Sequence, residues 1–396
     1  SMIHVGIDIG KLKHCFCIID YSTGEELVTP TFFENNQSGF RVLSRALADF
    51  PKDSLLIGME DTGHYHFALL RSLIAQGFNV ALMNPTTTDF ERKRQGSATK
   101  NDKLDTITIC DVLACAPHKK KLYRLVTPAN FSMYEMKQLT RQHHNLKEQL
   151  NTYSNRLQRS IDLTFPEFNS LFKSKYGEVF MNILKNYGSA EKIAQADIRS
   201  LRKCFSIKGK GKRIALTAEQ LKETAKVSVG YGSLAEEMNI RHLVDQIELL
   251  HAQIAEIDKK IEEFSLESNS PILTIPGISH FSGTSILAEL GDIRNYDKVS
   301  KVIKMAGVAP REYESSQFRA EHTAITKKGS KYLRKTLYQI IVPVIRFNPV
   351  FKAFYDLKIS QGKGHRCAQG HCVRKLLRII YHLLTTGQQF DPVLLK

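Results

Sequence analysis

The sequence lacks the features that mark membrane-spanning and disulfide-stabilised proteins. No apolar run approaches the roughly twenty residues that a membrane-spanning helix needs. The seven cysteines are odd in number and scattered, and no signal peptide precedes them, so we expect no disulfide framework and a cytoplasmic, reducing environment. Ser1 before Met2 is interpreted as an expression scar, with Met2 as the native start.

Motifs for zinc and for nucleotides are also missing. Histidine and cysteine cluster once near the C-terminus, at His365, Cys367, His371 and Cys372. Their spacing matches no common zinc finger, so zinc is not expected. The glycine-spaced run from Lys208 to Arg213 lacks the spacing of a Walker loop, so it does not predict a nucleotide site of that class.

Acidic residues are outnumbered by basic ones. The chain has 56 Lys and Arg against 40 Asp and Glu, which gives a formal net charge of +16. Such an excess favours a polyanionic partner, and nucleic acid is the main candidate. An ordinary basic protein stays open as the alternative, because net charge bears on association rather than on fold.

The chain is long enough for several domains. Its 396 residues exceed what one hydrophobic core usually fills, so two or three domains are expected. We place an α/β domain at 2–125 and a mostly helical domain at 269–396. Between them, 126–268 is expected to hold two long helices with an insertion at about 163–237.

Short apolar and β-branched runs predict the order of elements in the N-terminal domain. Strands are predicted at 2–7, 13–19, 29–34, 55–59 and 79–83. Helical patterns cover 39–50, 65–75 and 102–114. The resulting order, βββαβαβα, is typical of ribonuclease H and RuvC-like nuclease domains.

Four carboxylates in this domain form a candidate divalent-metal site. Asp8 and Glu60 each close an apolar run that predicts a buried strand, while Asp102 and Asp105 share one face of a starting helix. Mg²⁺, or Mn²⁺ in its place, takes oxygen ligands of this kind. Capping and surface roles stay open, and Asp102 also suits a helix N-cap. Asp61 should point to the opposite face of its strand, so we leave it out.

Two basic segments are candidates for phosphate contacts. The polar stretch at 84–103 is predicted to be a mobile loop beside the carboxylates, and it carries Arg92, Lys93, Arg94 and Lys100. The glycine-spaced run carries Lys208, Lys210, Lys212 and Arg213. Basic side chains alternating with glycine could follow a nucleic-acid backbone closely. For both segments a solvated loop remains the alternative.

Two long stretches have the periodicity of a coiled coil. The first runs through Leu139, Leu146, Leu150, Tyr153, Leu157 and Ile161. The second runs through Leu243, Ile247, Leu250, Ile254, Ile257, Ile261 and Phe264. Apolar residues that alternate steps of three and four form the contact seam of such helices. The two stretches could pair within one chain or across two chains, and we favour contacts between chains.

The C-terminal third carries two adjacent serines and a basic helix start. The segment at 273–279, with the apolar stretch after it, is similar to a helix-hairpin-helix, which can hold a phosphate without reading bases. Ser315 and Ser316 follow in a polar loop, and the next helix starts with Lys327, Lys328 and Arg334 nearby. An alcohol needs positive charge, a base or a metal to become a nucleophile, so purely structural serines stay open here.

Taken in order along the chain, these segments resemble the DEDD transposases of bacterial insertion sequences, the family named after the insertion sequence numbered one hundred and ten. The N-terminal signature is carried by Gly6-Ile-Asp8, Glu60 with Thr62-Gly63, Asn84-Pro85 and Lys100-Asn-Asp-Lys-Leu-Asp105. The C-terminal signature is carried by Ile275-Pro-Gly-Ile278, Ala288-Glu-Leu-Gly-Asp292, Ala306-Gly-Val-Ala-Pro310, Ser315, Thr326-Lys-Lys-Gly-Ser330 and Leu333-Arg334. Each segment is weak alone, but the ordered set is specific and spans nearly the whole chain.

The resemblance implies a recombinase that moves its own element, guided by a structured bridge RNA that the element encodes. Its RuvC-like domain would bind Mg²⁺ or Mn²⁺ through the four carboxylates Asp8, Glu60, Asp102 and Asp105. Its C-terminal transposase domain would supply a serine that attacks the DNA phosphodiester and forms a covalent phosphoserine link. By motif position that serine is Ser315, although the family usually has glycine where this chain has Ser316.

The resemblance also implies an assembly. Donor DNA, target DNA and guide RNA would be held by a dimer, or by a tetramer formed as a dimer of dimers. The RuvC-like domain of one protomer would then meet the C-terminal domain of another, and the cytoplasmic protein would be associated with the nucleoid when bound to DNA.

Three other functions are alternatives for the same residues. The segment Val5-Gly-Ile-Asp-Ile-Gly10 is similar to the phosphate loop of actin-like kinases, but the second Asp-Gly loop and the Gly-Gly adenosine motif of that class are missing. A Mg²⁺-dependent Holliday-junction nuclease could use the same carboxylates with water as the nucleophile. A non-catalytic nucleic-acid scaffold is the third.

Overall fold

The structure is a computed structural model that describes residues 2–61, 63–94, 101–115, 122–207, 214–310, 314–315, 318–319 and 324–395. Five of the predicted phosphate contacts, Lys100, Lys208, Lys210, Lys212 and Arg213, lie outside these residues, as does Ser316. The chain divides into two compact units. One consists of Ser1–Gln138 with Asn269–Lys396, and the other of Leu139–Ser268.

A six-stranded mixed sheet forms the N-terminal part of the first unit. In chain order its elements are β1 (Ile3–Asp8), β2 (Lys13–Asp20), β3 (Glu25–Glu34), α1 (Gln37–Ala48), β4 (Leu55–Glu60), α2 (Phe67–Ala75), β5 (Val80–Met83), α3 (Pro85–Arg94), α4 (Asp102–Cys115) and β6 (Tyr123–Val126). The strand order is β3-β2-β1-β4-β5-β6. Strands β1, β4 and β5 run parallel, and the other neighbours are antiparallel. The predicted mixed α/β domain is confirmed.

Helix α3 corrects one prediction, because it occupies residues that we expected to form a loop. The helix starts with Pro85 in its first turn, where the missing N–H of proline has no cost. Asn84 supports this start by accepting a hydrogen bond from Thr86 N at 2.9 Å on its side chain. The helix buries only two polar residues, Thr88 and Glu91. Its sequence therefore has no apolar periodicity, and for that reason it does not predict a helix.

Helix α4 lies directly on strand β1. An added Cβ at Gly6 would come within 2.1 Å of the Thr106 carbonyl oxygen, so only glycine permits this approach. At Gly58 of β4, an added Cβ would come within 2.9 Å of the Leu113 side chain. The two glycines therefore bring the helix close to the sheet, with the start of α4 near the carboxyl end of β1.

The second unit is helical. Helix α5 (Phe131–Thr164) enters it from the first unit, and α6 (Glu178–Asn186), α7 (Ala190–Gln195), α8 (Ile198–Lys203), α9 (Ala218–Lys226) and α10 (Leu234–Ser268) follow. Helices α5 and α10 run antiparallel, since His143 Nε2 lies 3.0 Å from Asp258 Oδ1 and Ser160 Oγ donates to Glu236 at 2.8 Å.

These contacts lie within one chain, whereas we favoured contacts between chains. Leu157 of α5 and Ile247 of α10 are fully buried in one apolar cluster. The same cluster includes residues of the insertion, such as Phe168 and Leu221. Because the insertion reverses the chain and packs on both helices, residues of both predicted seams meet in one apolar cluster, and contacts between chains stay a prediction.

The C-terminal part of the first unit is largely helical, as predicted. Its elements are α11 (His280–Leu290), α12 (Val299–Met305), β7 (Glu314–Ser315), β8 (Phe318–Arg319), α13 (Lys331–Phe347), α14 (Pro349–Ser360) and α15 (His365–Thr386). Helices α13 and α15 pack through buried residues such as Leu337, Ile341, Leu377 and Ile380. Within the described part of the chain, no helix is both long and apolar enough to cross a membrane.

The segment predicted to be similar to a helix-hairpin-helix is a short 3-10 helix, Pro271–Thr274, a turn and α11. Gly277 in the turn has φ +98°, and an added Cβ would lie 2.8 Å from Val344 N. Ser279 caps α11 by accepting a hydrogen bond from Ser282 N at 3.2 Å. The turn is therefore held tightly against α13.

Candidate active site

The carboxyl ends of β1 and β4 place two of the four predicted ligands side by side. The strands are parallel neighbours with Ile7 opposite Met59, so the next residues, Asp8 and Glu60, end adjacent strands at the same level. Both residues are half-buried, at the side of the sheet where the carboxyl ends of these central strands lie. Alternation along each strand buries Ile7 and Met59 in the core.

The first turn of α4 carries the other two carboxylates. Asp105 is buried beside the contact between Thr106 and Gly6, while Asp102 is exposed. Burial raises the pKa of the Cys15 thiol to about 11, and the negative charges of Asp8 and Asp102 add to this rise. Asp8 and Asp102 thus act on the same thiol. We call Asp8, Glu60, Asp102 and Asp105 the carboxylate edge.

Helix α3 supplies partners to two of these carboxylates. Arg92 Nη2 and Nε lie 2.9 and 3.1 Å from Asp105 Oδ1, and both side chains are largely buried. The Thr88 hydroxyl shares its one proton between Glu60 and the Pro85 carbonyl oxygen, which lies 2.9 Å from Oγ1. Arg92, which is predicted to contact phosphate, pairs with a carboxylate of the site in this structure.

The carboxylate edge has the ligand type of a metal site but not its grouping. Oxygen ligands from separate elements are the type that Mg²⁺ takes. Across the described residues, however, no three His, Cys, Asp or Glu side chains are grouped so that they could hold one ion. The ligand atoms thus suit Mg²⁺, while Asp105 is paired with a guanidinium rather than with a metal ion.

Asp61, which sequence analysis left out, belongs to a polar network beside the carboxylate edge. Its carboxylate oxygens lie 3.5 Å from His66 Nε2 and 3.7 Å from Arg124 Nη2. His66 Nε2 is 2.6 Å from Tyr134 Oη, and the Arg124 guanidinium lies over the Tyr134 ring. The sequence does show polar residues at the ends of β4 and β6, which could have indicated this network. The spacing in the sequence does not reveal that these ends meet.

The Arg124 side chain also contacts the C-terminal part of the same unit. A Cβ added at Gly291 would come within 3.4 Å of Arg124 Cδ, and Gly291 has φ +66°. Arg124, Tyr134 and Asp292 line one small cavity. The network therefore links the sheet to the segment Ala288-Glu-Leu-Gly-Asp292.

Three segments of the C-terminal signature meet around the start of α13. Ser330 Oγ donates to the fully buried Glu289 at 2.6 Å and accepts from Leu333 N at 3.0 Å. Arg334 Nη1 donates to the carbonyl oxygens of Ala306 at 3.4 Å and Lys327 at 3.2 Å. A buried carboxylate and a buried hydroxyl stabilise each other only when paired, so this contact fixes the helix start.

Ser315 lies in the two-residue strand β7. The backbone of Ser315 in β7 pairs with Phe318 in β8. At the base of the segment, Pro310 pairs with Ile325, and Thr326 N donates to the Ala309 carbonyl oxygen at 2.8 Å. The anchored base thus joins the serine segment to the loop that contains Lys327 and Lys328.

The other predicted phosphate contacts differ in their exposure and in their acidic partners. Lys93 is exposed but pairs with Asp89 at 2.7 Å. Arg94 pairs with the buried Glu91. Lys327 and Lys328 are exposed beside Arg334. On the N-terminal side, then, the predicted cations of α3 already have acidic partners.

Two sequence families match this chain in order. Residues 5–166 match DEDD transposases of IS110, described as "Transposase", and residues 269–356 match the "Transposase IS116/IS110/IS902 family". Together the matches cover more than half of the chain, and they include the carboxylate edge and the start of α13.

Relatives of similar length carry related names. A "Pilin gene-inverting protein" of Moraxella lacunata is 24% identical over 395 residues, covering 99% of this chain and 98% of the relative. A "Mini-circle putative transposase for IS117" of Streptomyces coelicolor is 23% identical over 410 residues, covering 98% and 95%. With both halves of the family signature present in order, the chain belongs to the IS110 family of transposases.

Proposed function

We propose that this transposase cuts and rejoins DNA through a covalent phosphoserine intermediate, with its carboxylate edge and Ser315 as two halves of one active site. The observation that carries the proposal is the placement of Asp8 and Glu60 at adjoining strand ends, with Asp102 and Asp105 on the helix that packs against them. Ser315 enters by motif position in the resemblance.

The chemistry conserves the number of phosphoester bonds. The Ser315 hydroxyl loses its proton as its Oγ bonds to phosphorus, and the bond from phosphorus to the 3′ oxygen breaks. The 3′ oxygen leaves with a proton, while the 5′ phosphate stays on the serine. Attack by a different 3′ hydroxyl reverses these steps and releases the serine, so rejoining needs no outside energy source.

A bound Mg²⁺ or Mn²⁺ would supply electrostatic stabilisation for the charge on the phosphoryl group. The residues that would hold it are Asp8, Glu60, Asp102 and Asp105. There the ion would compete with the Arg92 guanidinium, because one Asp105 oxygen lies 2.9 Å from Arg92 Nη2. Arg92 is then a positioning residue that offsets the charge of Asp105 at rest.

The resemblance carries three further parts of the proposal. An element-encoded guide RNA selects donor and target DNA. The protein works as a dimer or as a tetramer of two dimers, in which Ser315 of one protomer meets the carboxylate edge of another. It acts in the cytoplasm, on the nucleoid.

The test uses the full-length protein with Mg²⁺, the element-encoded RNA and end-labelled DNA, followed by a denaturing gel. A DNA species linked to protein should form, disappear in Ser315→Ala and persist in the matched neighbour variant Ser316→Ala. If Ser316→Ala removes it instead, the nucleophile is Ser316.

The second candidate is a nuclease that uses water, and the carboxylate edge taken by itself favours it. The same gel separates the two candidates. Free hydrolysed ends that form equally in the wild type and in Ser315→Ala would establish the nuclease and exclude the phosphoserine link.

A further inference from the structure

The net positive charge of the chain is concentrated at its C-terminal end. Residues 324–396 contain fourteen Lys and Arg but only two acidic residues, Asp356 and Asp391. This excess of twelve accounts for most of the net charge of +16. Helices α13 and α15 contain no Asp or Glu at all. These helices therefore provide no carboxylate partner for their own cations.

The basic residues of α13 and α15 face each other across a cleft. Ile325, Lys331, Arg334, Lys335, Tyr338, Arg366 and Gln369 line this cleft, which has a volume of about 530 Å³. On α13 the lining residues follow steps of three, one and three, so they share one face. We call this set of residues the basic cleft.

Close packing holds the two walls of the basic cleft together. A Cβ added at Gly370 of α15 would lie 3.3 Å from Tyr338 Oη of α13. Arg334 is fixed by its bonds to the carbonyl oxygens of Ala306 and Lys327. A cation held in place before binding loses little conformational entropy when an anion arrives.

The electric field around α15 is positive. Burial lowers the pKa of His371, and the charges of Arg374, Lys358 and Lys363 lower it further. Burial also lowers the pKa of Arg374, and Arg378 adds to this effect. Cations crowded in this way repel one another, and an anion bound among them would relieve the repulsion.

An extended anion suits this arrangement better than a single small one. Arg366, Arg374 and Arg378 belong to a row of residues on α15 that are spaced four apart, and Gly370 is the fourth member of this row. The stripe is about 18 Å long at 1.5 Å per residue. Along a duplex, about five phosphates of one strand cover that length.

We propose that the basic cleft binds the phosphodiester backbone of the DNA substrate. This inference rests on the proposed function, in which the protein acts on DNA, and it adds where on the protein the DNA backbone binds. Both exposed side chains that open the cleft, Lys331 and Arg366, would contact phosphate. Helix α15 lies beyond residues 269–356, so neither family match includes this wall.

The test measures binding of the full-length protein to a short fluorescein-labelled DNA duplex by anisotropy, over a series of KCl concentrations in EDTA. Lys331→Gln with Arg366→Gln removes two charges from the basic cleft. Arg41→Gln with Arg45→Gln removes two exposed charges from α1 and serves as the matched control. Circular dichroism melting checks that both double variants fold.

The cleft variant should weaken DNA binding by about tenfold, and the slope of log affinity against log salt should fall by about two. The α1 control should match the wild type. Equal slopes for the two double variants would overturn the proposal. So would a loss that affects only a labelled RNA hairpin of equal length, which would assign the cleft to RNA.

EDTA separates this result from the proposed chemistry. Because no divalent ion is present, strand cleavage does not contribute to the signal. The cleft proposal can therefore fail while Ser315→Ala still abolishes the protein-linked species, and the chemistry can fail while the salt slope still falls.

Discussion

The carboxylate edge and the basic cleft balance their charges in opposite ways. At the carboxylate edge, Asp105 has a cation from the same domain, Arg92, at 2.9 Å. In the basic cleft, neither wall helix contains an acidic residue. The first region is partly neutralised by its own arginine, while the wall helices of the second supply no carboxylate. A cation that binds the first region competes with its internal counterion, so the two regions should respond to ligands differently.

The largest expected effect comes from removing a carboxylate of the edge. Asp8→Asn keeps the size of the side chain but removes its charge, so strand cleavage should fall by at least about a hundredfold. Binding of DNA and RNA in EDTA should stay the same. A cleavage assay and an anisotropy assay on one preparation check this. The control is Asp49→Asn at the exposed end of α1. Loss of nucleic-acid binding would mean that Asp8 is structural.

Next in size is the effect of separating α4 from the sheet. Gly6→Ala would place a Cβ 2.1 Å from the Thr106 carbonyl oxygen, so the free energy of unfolding should fall by about 3 kcal/mol. Denaturant unfolding measures this change. Gly364→Ala serves as the control, because a Cβ there meets nothing within 4 Å. Equal stability of the two variants would contradict the close contact between helix and strand.

A smaller effect should sharpen the role of the internal counterion. Arg92→Gln removes the cation beside Asp105, so Mn²⁺ should bind more tightly, by about tenfold. Titration calorimetry or Mn²⁺ electron paramagnetic resonance measures the dissociation constant. Lys93→Gln on the same helix is the control, since Lys93 is exposed and pairs with Asp89.

The outcomes of the Mn²⁺ titration separate two claims. Weaker binding in Arg92→Gln, or no change, would show that Arg92 does not compete with the ion. If Mn²⁺ binds neither the wild type nor Arg92→Gln, the proposed metal site itself fails.

The smallest expected effect lies within the C-terminal region. Lys352 of α14 already pairs with Asp356 at 2.6 Å, so Lys352→Gln should change DNA affinity by about twofold or less. The same anisotropy series measures this change. A loss as large as that of the cleft double variant would show that a cation of the α14 ion pair contributes as much as the cations of the cleft, and it would remove the contrast between the regions.

Local patterns in the sequence predicted the elements that carry the site. Asp8 and Glu60 could be placed at strand ends because apolar runs stop there, and Asp105 at a helix start because the periodicity changes. These features depend on neighbours along the chain. For the same reason, the mixed α/β and helical parts were both expected correctly.

Contacts between distant segments could not be predicted in the same way. The pair between Arg92 and Asp105 depends on the packing of α3 against α4, which the sequence does not reveal. The contact between Ser330 and Glu289 joins residues from two segments that the sequence treats separately. Helices α5 and α10 show the same limit, since heptads identify a seam without naming its partner.

The division of the first unit has a consequence for synthesis of the protein. Its N-terminal part ends at Gln138, and its remaining part begins only at Asn269, after the whole second unit. A ribosome makes the carboxylates early and the Ser315 segment late, and the contact between Arg124 and Gly291 can form only after the whole second unit has been made. A nascent or truncated chain would thus contain the carboxylates without the serine segment, so it could not complete the proposed active site.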